Sequence, residues 1–366
     1  MGLPTLVGRS KHHTFSYLKD RIWKKLQGWK GKLLSNAGKE ILIKAVAQSI
    51  STYTMSVFQL LFKLCDELDA MCAKFWWGQV GDERKIHWQR WEKLIRSKKD
   101  GGMGFRDLRA FNLAMLAIQG WRLLHDDSSL VYQCLKARYF PRTHFFYVKK
   151  SPNCSFVWRS IVAALPILKV GCCWRVRNGL SIRVYGDKWI PNYPTSAPLF
   201  PLREEVQEVV VAELIDPKLH AWRSEFILGM FEQADAEAIC RIHLSRRDVD
   251  DILIWMHHKK GLFTVKFAYK VAKEVLHGGN LAESSRGCVG KEVWAALWKL
   301  RIPNKIKVFG WRACNDILPT KHILSKQKII EDKMCPICMR FLESVIHALW
   351  ECEAAKDVWA GSLKIL

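Results

Sequence analysis

The first third of the chain alternates apolar and polar positions with the period of an α-helix. In "YLKDRIWKKLQGWKGKLLS", Leu18, Ile22, Trp23, Leu26 and Trp29 fall on one side, with Lys19, Arg21, Lys24, Lys25 and Lys32 largely elsewhere. Ser35 is placed to N-cap a second helix, "NAGKEILIKAVAQSI". "LFKLCDELDAMCAKFWW" keeps the period until Gly78 and Gly81 interrupt it, and after a Gly-rich turn at Asp100–Gly104 a further helix is predicted from about Leu108 to Leu124. The period then changes. Alternating segments around Asn178-Gly179 in "CWRVRNGLSIRVYGDKW" predict a tight hairpin. "DILIWMHHKKGLFTVKF" predicts a second one with a turn at His257–Gly261, passing into a helix from about Lys266. Pro-rich Trp189–Leu202 and "HGGNLAESSRGCVG" (His277–Gly290) read as linkers, and the helical pieces after Lys291 break at Pro303 and Pro319.

The expected fold is therefore mainly α with small β-hairpin elements, an α+β chain in three parts. These are a helical region at 1–150, a mixed middle at 151–254 and a small helical C-terminal domain at 255–366. At 366 residues and 49% hydrophobic, the chain can bury a large core. No run of about 18 apolar residues suggests a membrane span, and the N-terminus lacks the basic-then-apolar order of a signal peptide. An intracellular, nuclear or cytoplasmic protein with reduced thiols is expected, not a secreted one, and most of its 12 cysteines read as small buried apolar residues, Cys65, Cys72, Cys172 and Cys173 among them.

Charge changes the picture. The net charge is +23, which favours polyanionic partners and above all nucleic acid. Residues 1–110 carry +11 (21 Lys and Arg against 10 Asp and Glu) and residues 111–192 carry +9 (12 against 3). Residues 193–290 carry −2 (12 against 14), and residues 291–366 carry +5 (13 against 8). Arg21, Lys24, Lys25, Lys30 and Lys32 form one candidate phosphate-binding surface, with tryptophans between them that could stack bases; Lys305, Lys307 and Arg312 form a second. The alternative is that the tryptophans are core and the lysines a solvated face.

The strongest chemical signal is "CPICMRFLESVIHALWEC", from Cys335 to Cys352. A Cys-x-x-Cys turn can present two thiolates to one ion, and a short helix would carry His347 towards it, with Val345, Ile346, Leu349 and Trp350 packing and Cys352 at the helix end. Chance produces the whole set about once in a hundred such chains. The alternative is a packed helix with buried thiols. Four protein ligands leave no open position, so Cys335, Cys338, His347 and Cys352 would hold one structural Zn2+ rather than a catalytic one.

Three long stretches, "LLSNAGKEILIKAVAQSISTYTMSVF", "WWGQVGDERKIHWQRWEKLIRSKKDGGMGFRDLRAFNLAMLAIQGWRLL" and "WRVRNGLSIRVYGDKWIP", resemble the region that follows the palm in plant non-LTR (LINE-type) retroelement reverse transcriptases. From "GLFTVKFAY" through "LWKLRIPNKIKVFGWRACNDILPT" to the cysteines, the chain resembles the zinc-binding domain of that family. The resemblance implies that the four Cys and His residues are zinc ligands and that the basic helices correspond to the thumb and connection behind a polymerase.

Such polymerases hold two metals on an aromatic-x-Asp-Asp turn. The Asp-Asp pairs of this chain, Asp126-Asp127 and Asp250-Asp251, lack that context and read as solvated turn or cap residues. "GLPTLVGRS" looks like the stretch just after the palm, and 14 residues after Cys352 leave no room for ribonuclease H. No nucleophile elbow or phosphate loop occurs, and His12-His13 and His257-His258 read as exposed loop pairs. The expectation is a non-catalytic remnant that binds zinc and RNA and/or DNA, with no small-molecule substrate. A protein-interaction or structural module, or a decayed element copy without a selected role, is the alternative.

Overall fold

The computed structural model describes residues 3–4, 7–30, 32–78, 85–149, 152–191, 193–198, 209–245, 249–278 and 290–362, without the side chains of Lys30 and Ser362. Helix makes up 55% of the described residues, and among them strands occur only as two short antiparallel pairs, so the mainly α expectation holds. The chain forms two compact units, each assembled from separated stretches: residues 1–7, 52–60 and 109–281 in the first, and 8–51, 61–108 and 282–366 in the second. They interleave along the sequence, whereas the divisions at 150 and 254 are sequential.

In the first unit the helix Leu108–His125 packs with helices Phe156–Ala163, Leu165–Gly171 and Val265–His277 around one apolar core centred on Trp158, Leu168 and Trp255. Asn112 is buried in it with every polar atom used. Its Oδ1 accepts from Leu60 N (2.7 Å), and its Nδ2 donates to Met55 O (2.8 Å) and Phe58 O (2.9 Å). This side chain braces the irregular 55–60 segment, whose backbone groups would otherwise be unpaired.

The hairpin expected at Asn178-Gly179 does not form. Cys172–Arg175 pairs instead with Ile252–Trp255, in the register Cys172 to Trp255. The backbone after the first strand turns away because Asp251 occupies its amides: Oδ1 accepts from Arg177 N (2.8 Å) and Gly179 N (3.0 Å), and Oδ2 from Ser181 N (3.1 Å). Gly179 sits at φ +74° with Ala212 N 2.5 Å from where a Cβ would stand, so the glycine serves this loop rather than a primed turn. Asp251 is buried, which corrects the solvated reading for that residue, whereas Asp250 is exposed and Asp126 caps Ser128 and Ser129 as expected. The second hairpin is reduced to its turn, Trp255 N donating to Gly261 O (2.9 Å), before the helix Val265–His277.

Trp189–Leu202 does not begin as a linker. Trp189 and Ile190 are fully buried in a second apolar cluster with Ile182 and Leu214, and both their amides donate to Ser196 O (2.7 and 2.9 Å). Residues 199–202, and all of the second linker except His277, Gly278 and Gly290, lie outside the described residues, as does Gly81.

The second unit joins the N-terminal helices to the C-terminal ones. Phe62–Trp76 packs against both Tyr17–Lys30 and Asn36–Ala45, and Ser35 caps its helix by accepting from Gly38 N (3.3 Å). His12 lies in the helix Lys11–Phe15 rather than in a loop, with Nε2 3.1 Å from Glu67 Oε1. Ile22 and Leu26 are buried, but Trp23 is half exposed, so the apolar side of that helix is narrower than its spacing predicts. The Gly-rich turn is a receptor for tryptophans. Gly101, at φ +77°, lies with the ring of Trp294 3.0 Å from its missing Cβ, and its carbonyl accepts from Trp311 Nε1 (2.8 Å). Trp311 also meets Trp76 edge-on at 6.4 Å. Cys65, Cys72, Cys172 and Cys173 are buried, and burial pushes up the thiols of Cys72, Cys172 and Cys173, the last to about 11.

Candidate zinc centre

Lys291–Lys299 and Asn304–Cys314 end before Pro303 and Pro319 as predicted, and Lys321–Lys326 follows. The next residues make a tight hairpin. Glu343 N donates to Lys333 O (2.9 Å), Met334 bridges Leu342, and Cys335 N donates to Phe341 O (2.8 Å). Met339 N donates back to Cys335 O (3.0 Å), and Met339 takes a left-handed conformation, φ +53°, to close the knuckle. Cys335 and Cys338 are thereby presented from one turn.

The other two donors come from a helical segment that ends in a π-turn, His347–Glu351. His347 N donates to Ser344 Oγ (3.0 Å) and Cys352 N to His347 O (2.9 Å), which sets His347 and Cys352 on the same side. The packing differs from the sequence expectation. Val345 is buried with Leu318 and Ile323, and Leu349 packs against them, but Ile346 and Trp350 are more than 60% exposed.

The four donor atoms lie within 4.8 Å of one another. Cys335 Sγ is 4.0 Å from Cys352 Sγ, and Cys338 Sγ is 3.3 Å from His347 Nε2. A tetrahedral zinc with ordinary Zn–S and Zn–N bonds draws its ligands to about 3.3–3.8 Å apart, so the four donors are already gathered and need close by no more than about 1 Å around that ion. Cys335, His347 and Cys352 are buried and Cys338 is partly so. Amide N–H groups prepare the sulfurs: that of Arg340, and after it that of Phe341, with His347 and Cys335, hold the Cys338 thiol down to about 6. Cys352 heads the helix Glu353–Ser362, where the amides of Ala354 and Ala355 oppose the burial that pushes its thiol up. This is one zinc site with four protein ligands, closed to substrate.

The candidate cations differ in exposure and in partners. Arg21, Lys24 and Lys25 stand exposed on the helix Tyr17–Lys30 and Lys32 just beyond it, while the Lys30 side chain lies outside the described residues. Trp29 leans on Phe75 at 5.8 Å. Lys305 is exposed, but Lys307 Nζ donates to Trp298 O (3.2 Å) and Arg312 to Ile317 O (3.3 Å). Burial pulls the Arg312 guanidinium below its usual range, and both residues tie down carbonyls of their own neighbourhood. Sequence reasoning missed Asp251, for which an Asp after a charged turn gives no distinguishing signal, and the exposed aromatics around the zinc hairpin, where apolar spacing implies burial.

Comparison with known proteins gives the same family. Residues 263–359 match the family described as zinc-binding in reverse transcriptase. The Arabidopsis thaliana protein named "Putative ribonuclease H protein At1g65750" is 28% identical over 370 residues, covering 98% of this chain and 57% of that relative. The "Uncharacterized mitochondrial protein AtMg00310" of Arabidopsis thaliana is 37% identical over 152 residues, 41% of this chain and 99% of that relative. The chain thus spans little more than half of the first relative. Among the described residues, no helix is long and apolar enough to cross a membrane.

Proposed function

The chain belongs to the family that carries the zinc-binding domain of reverse transcriptases, and from that premise we propose that it is a non-catalytic retroelement segment that grips RNA or DNA through exposed basic side chains. The observation that carries the reading is that one carboxylate of each Asp-Asp pair is committed to backbone amides while a face of cations stands free. Asp251 is turned inward on three backbone amides and Asp126 is spent on a cap, whereas Arg21, Lys24 and Lys25 stand in solvent at i, i+3 and i+4 on one helix face. Two metals for phosphoryl transfer need carboxylates open to solvent and substrate. Zinc in the closed site supplies folding free energy, holding the hairpin to the head of the last helix. Phosphate contact supplies affinity through counterion release.

The test is binding of labelled RNA and DNA by the zinc-loaded full chain between 50 and 200 mM salt, concentrations at which counterion release is large. Affinity should fall steeply, and replacing Arg21, Lys24 and Lys25 by Ala should lower the slope of log K against log salt by roughly 2 to 3. Salt-independent binding would overturn the phosphate mechanism. Primer extension by the wild-type chain would overturn its non-catalytic half.

A further inference from the structure

The zinc hairpin exposes aromatic rings that its own packing does not use. Phe341 and Trp350 are each 64% exposed and Trp359 is 48% exposed. They are held in place rather than loose. Phe341 lies 5.7 Å from the His347 ring, and its carbonyl receives Cys335 N, so two zinc ligands position it. Trp359 Nε1 donates to Leu349 O (2.7 Å), which satisfies its polar edge. Trp350 and Trp359 meet at 5.7 Å but are inclined by 49°, so neither ring covers the face of the other. A cavity of about 490 Å3 opens beside Trp350, walled by Val345 and Leu349, with Asp316 and His322 on its polar side. His322 Nδ1 is buried there without a hydrogen-bond partner among the described residues.

We infer that these rings form a stacking platform for unpaired bases, so that the zinc-bearing part of the chain takes a single-stranded nucleic acid rather than a duplex. The inference rests on the nucleic-acid reading above and gives it a second, distinct site. Three considerations select this occupant. The surrounding charge is complementary to phosphate: residues 299–340 hold ten Lys and Arg against three Asp and Glu, a net +7, and Lys305, Lys326, Lys328, Lys333 and Arg340 are exposed. Lysine is depleted at protein–protein interfaces, yet Lys326, Lys328 and Lys333 stand exposed just ahead of and within the hairpin. A duplex hides the π-faces of its bases, which only an unpaired strand can offer to an aromatic side chain. The cavity beside Trp350 then receives an edge or a whole base, with Asp316, His322 and Ser344 among the residues of its lining.

The test compares a labelled single strand, as RNA and as DNA, with the duplex of the same sequence, bound to the zinc-loaded full chain. Phe341→Leu and Trp350→Leu keep an apolar side chain and remove the ring; Phe341→Tyr and Trp350→Phe keep a ring. Each loss of a ring should weaken single-strand binding about 5- to 100-fold and leave duplex binding and the salt slope unchanged. The ring-keeping variants should retain most of the affinity. Single-strand affinity within twofold of wild type, in a Leu variant that still carries one zinc per chain, would overturn the platform while leaving the basic-helix reading intact. Equal loss on single strand and duplex would also overturn it. Wild type binding neither form would remove the nucleic-acid reading and this inference with it.

Discussion

Replacing Asp251 with Ala tests whether this carboxylate holds a loop or serves chemistry. It accepts from Arg177 N, Gly179 N and Ser181 N at 2.8–3.1 Å and is only 9% exposed. Hydrogen bonds to a charged group contribute about 1.5–3 kcal/mol each, but three bonds to one carboxylate are not additive. Water can reach the amides of Arg177 and Ser181 in the variant, whereas the Gly179 amide is buried and would be left without a partner, costing about 1–3 kcal/mol. A loss of about 3 kcal/mol, localised to this loop, is the expected sum. Asp251→Asn keeps the shape but turns an amide NH2 towards a donor, and should lose roughly half as much. In a chain of two units a single global unfolding free energy is not well defined, so the assay is amide hydrogen exchange of residues 176–184. Protection there should fall by about 100-fold in Asp251→Ala. Unchanged protection would refute the loop assignment, as would a wild-type polymerase activity abolished by Asp251→Asn with the loop still protected.

Several other outcomes can be checked. The purified chain should contain one zinc, and a Cys335→Ser, Cys338→Ser double variant should lose it together with protease resistance of the C-terminal residues. Gly101→Ala forces a side chain into φ +77° against the Trp294 ring and should destabilise the second unit by about 1–3 kcal/mol, seen as an earlier unfolding transition in tryptophan fluorescence. Partial burial, and then the hydrogen bond to Asp187 (2.7 Å), raise the Tyr147 hydroxyl to about 12. A folded value above the unfolded one stabilises fully below about pH 10 and is lost as pH rises through about 12. Tyr185 and Tyr193 are also raised, so absorbance titration should show late tyrosinates of which one, near pH 12, is lost in Tyr147→Phe.

The zinc site was legible because its information is local. Four ligands within 18 residues, at spacings a knuckle and a helix can serve, need little else to be true. The helices were legible for the same reason, down to the Ser35 cap. What failed was long-range. Asn178-Gly179 is a good turn dipeptide, but the strand before it finds its partner at Ile252–Trp255, and a carboxylate from beside that partner takes the amides a hairpin would have used. Trp189 and Ile190 were hidden behind their prolines, although Trp189 Nε1 has a buried acceptor in Val184 O (3.0 Å). Trp23 and Trp350 went wrong in the opposite sense: apolar period reports which residues share a side, not whether anything covers it.

The family match at 263–359 does not coincide with a folding unit. Its first helix, Val265–His277, contributes Ala268, Val271 and Ala272 to the core of the first unit. From Lys291 onward the same match packs with residues 8–108, through Gly101 under Trp294, Trp311 on Trp76, and Lys98 Nζ 3.9 Å over the Trp298 ring. A fragment of residues 290–366 would keep all four zinc ligands but lose the partners of three tryptophans. Truncating one buried aromatic contact set costs about 3–5 kcal/mol, more than a module this small is expected to spare. Such a fragment should therefore bind one zinc yet show few protected amides in Lys291–Cys314, whereas adding residues 8–51 and 61–108 should restore that protection. Full protection in the short fragment would mean that zinc alone organises these helices, and that the tryptophan contacts with the N-terminal segment are incidental to the stability of the zinc-binding part.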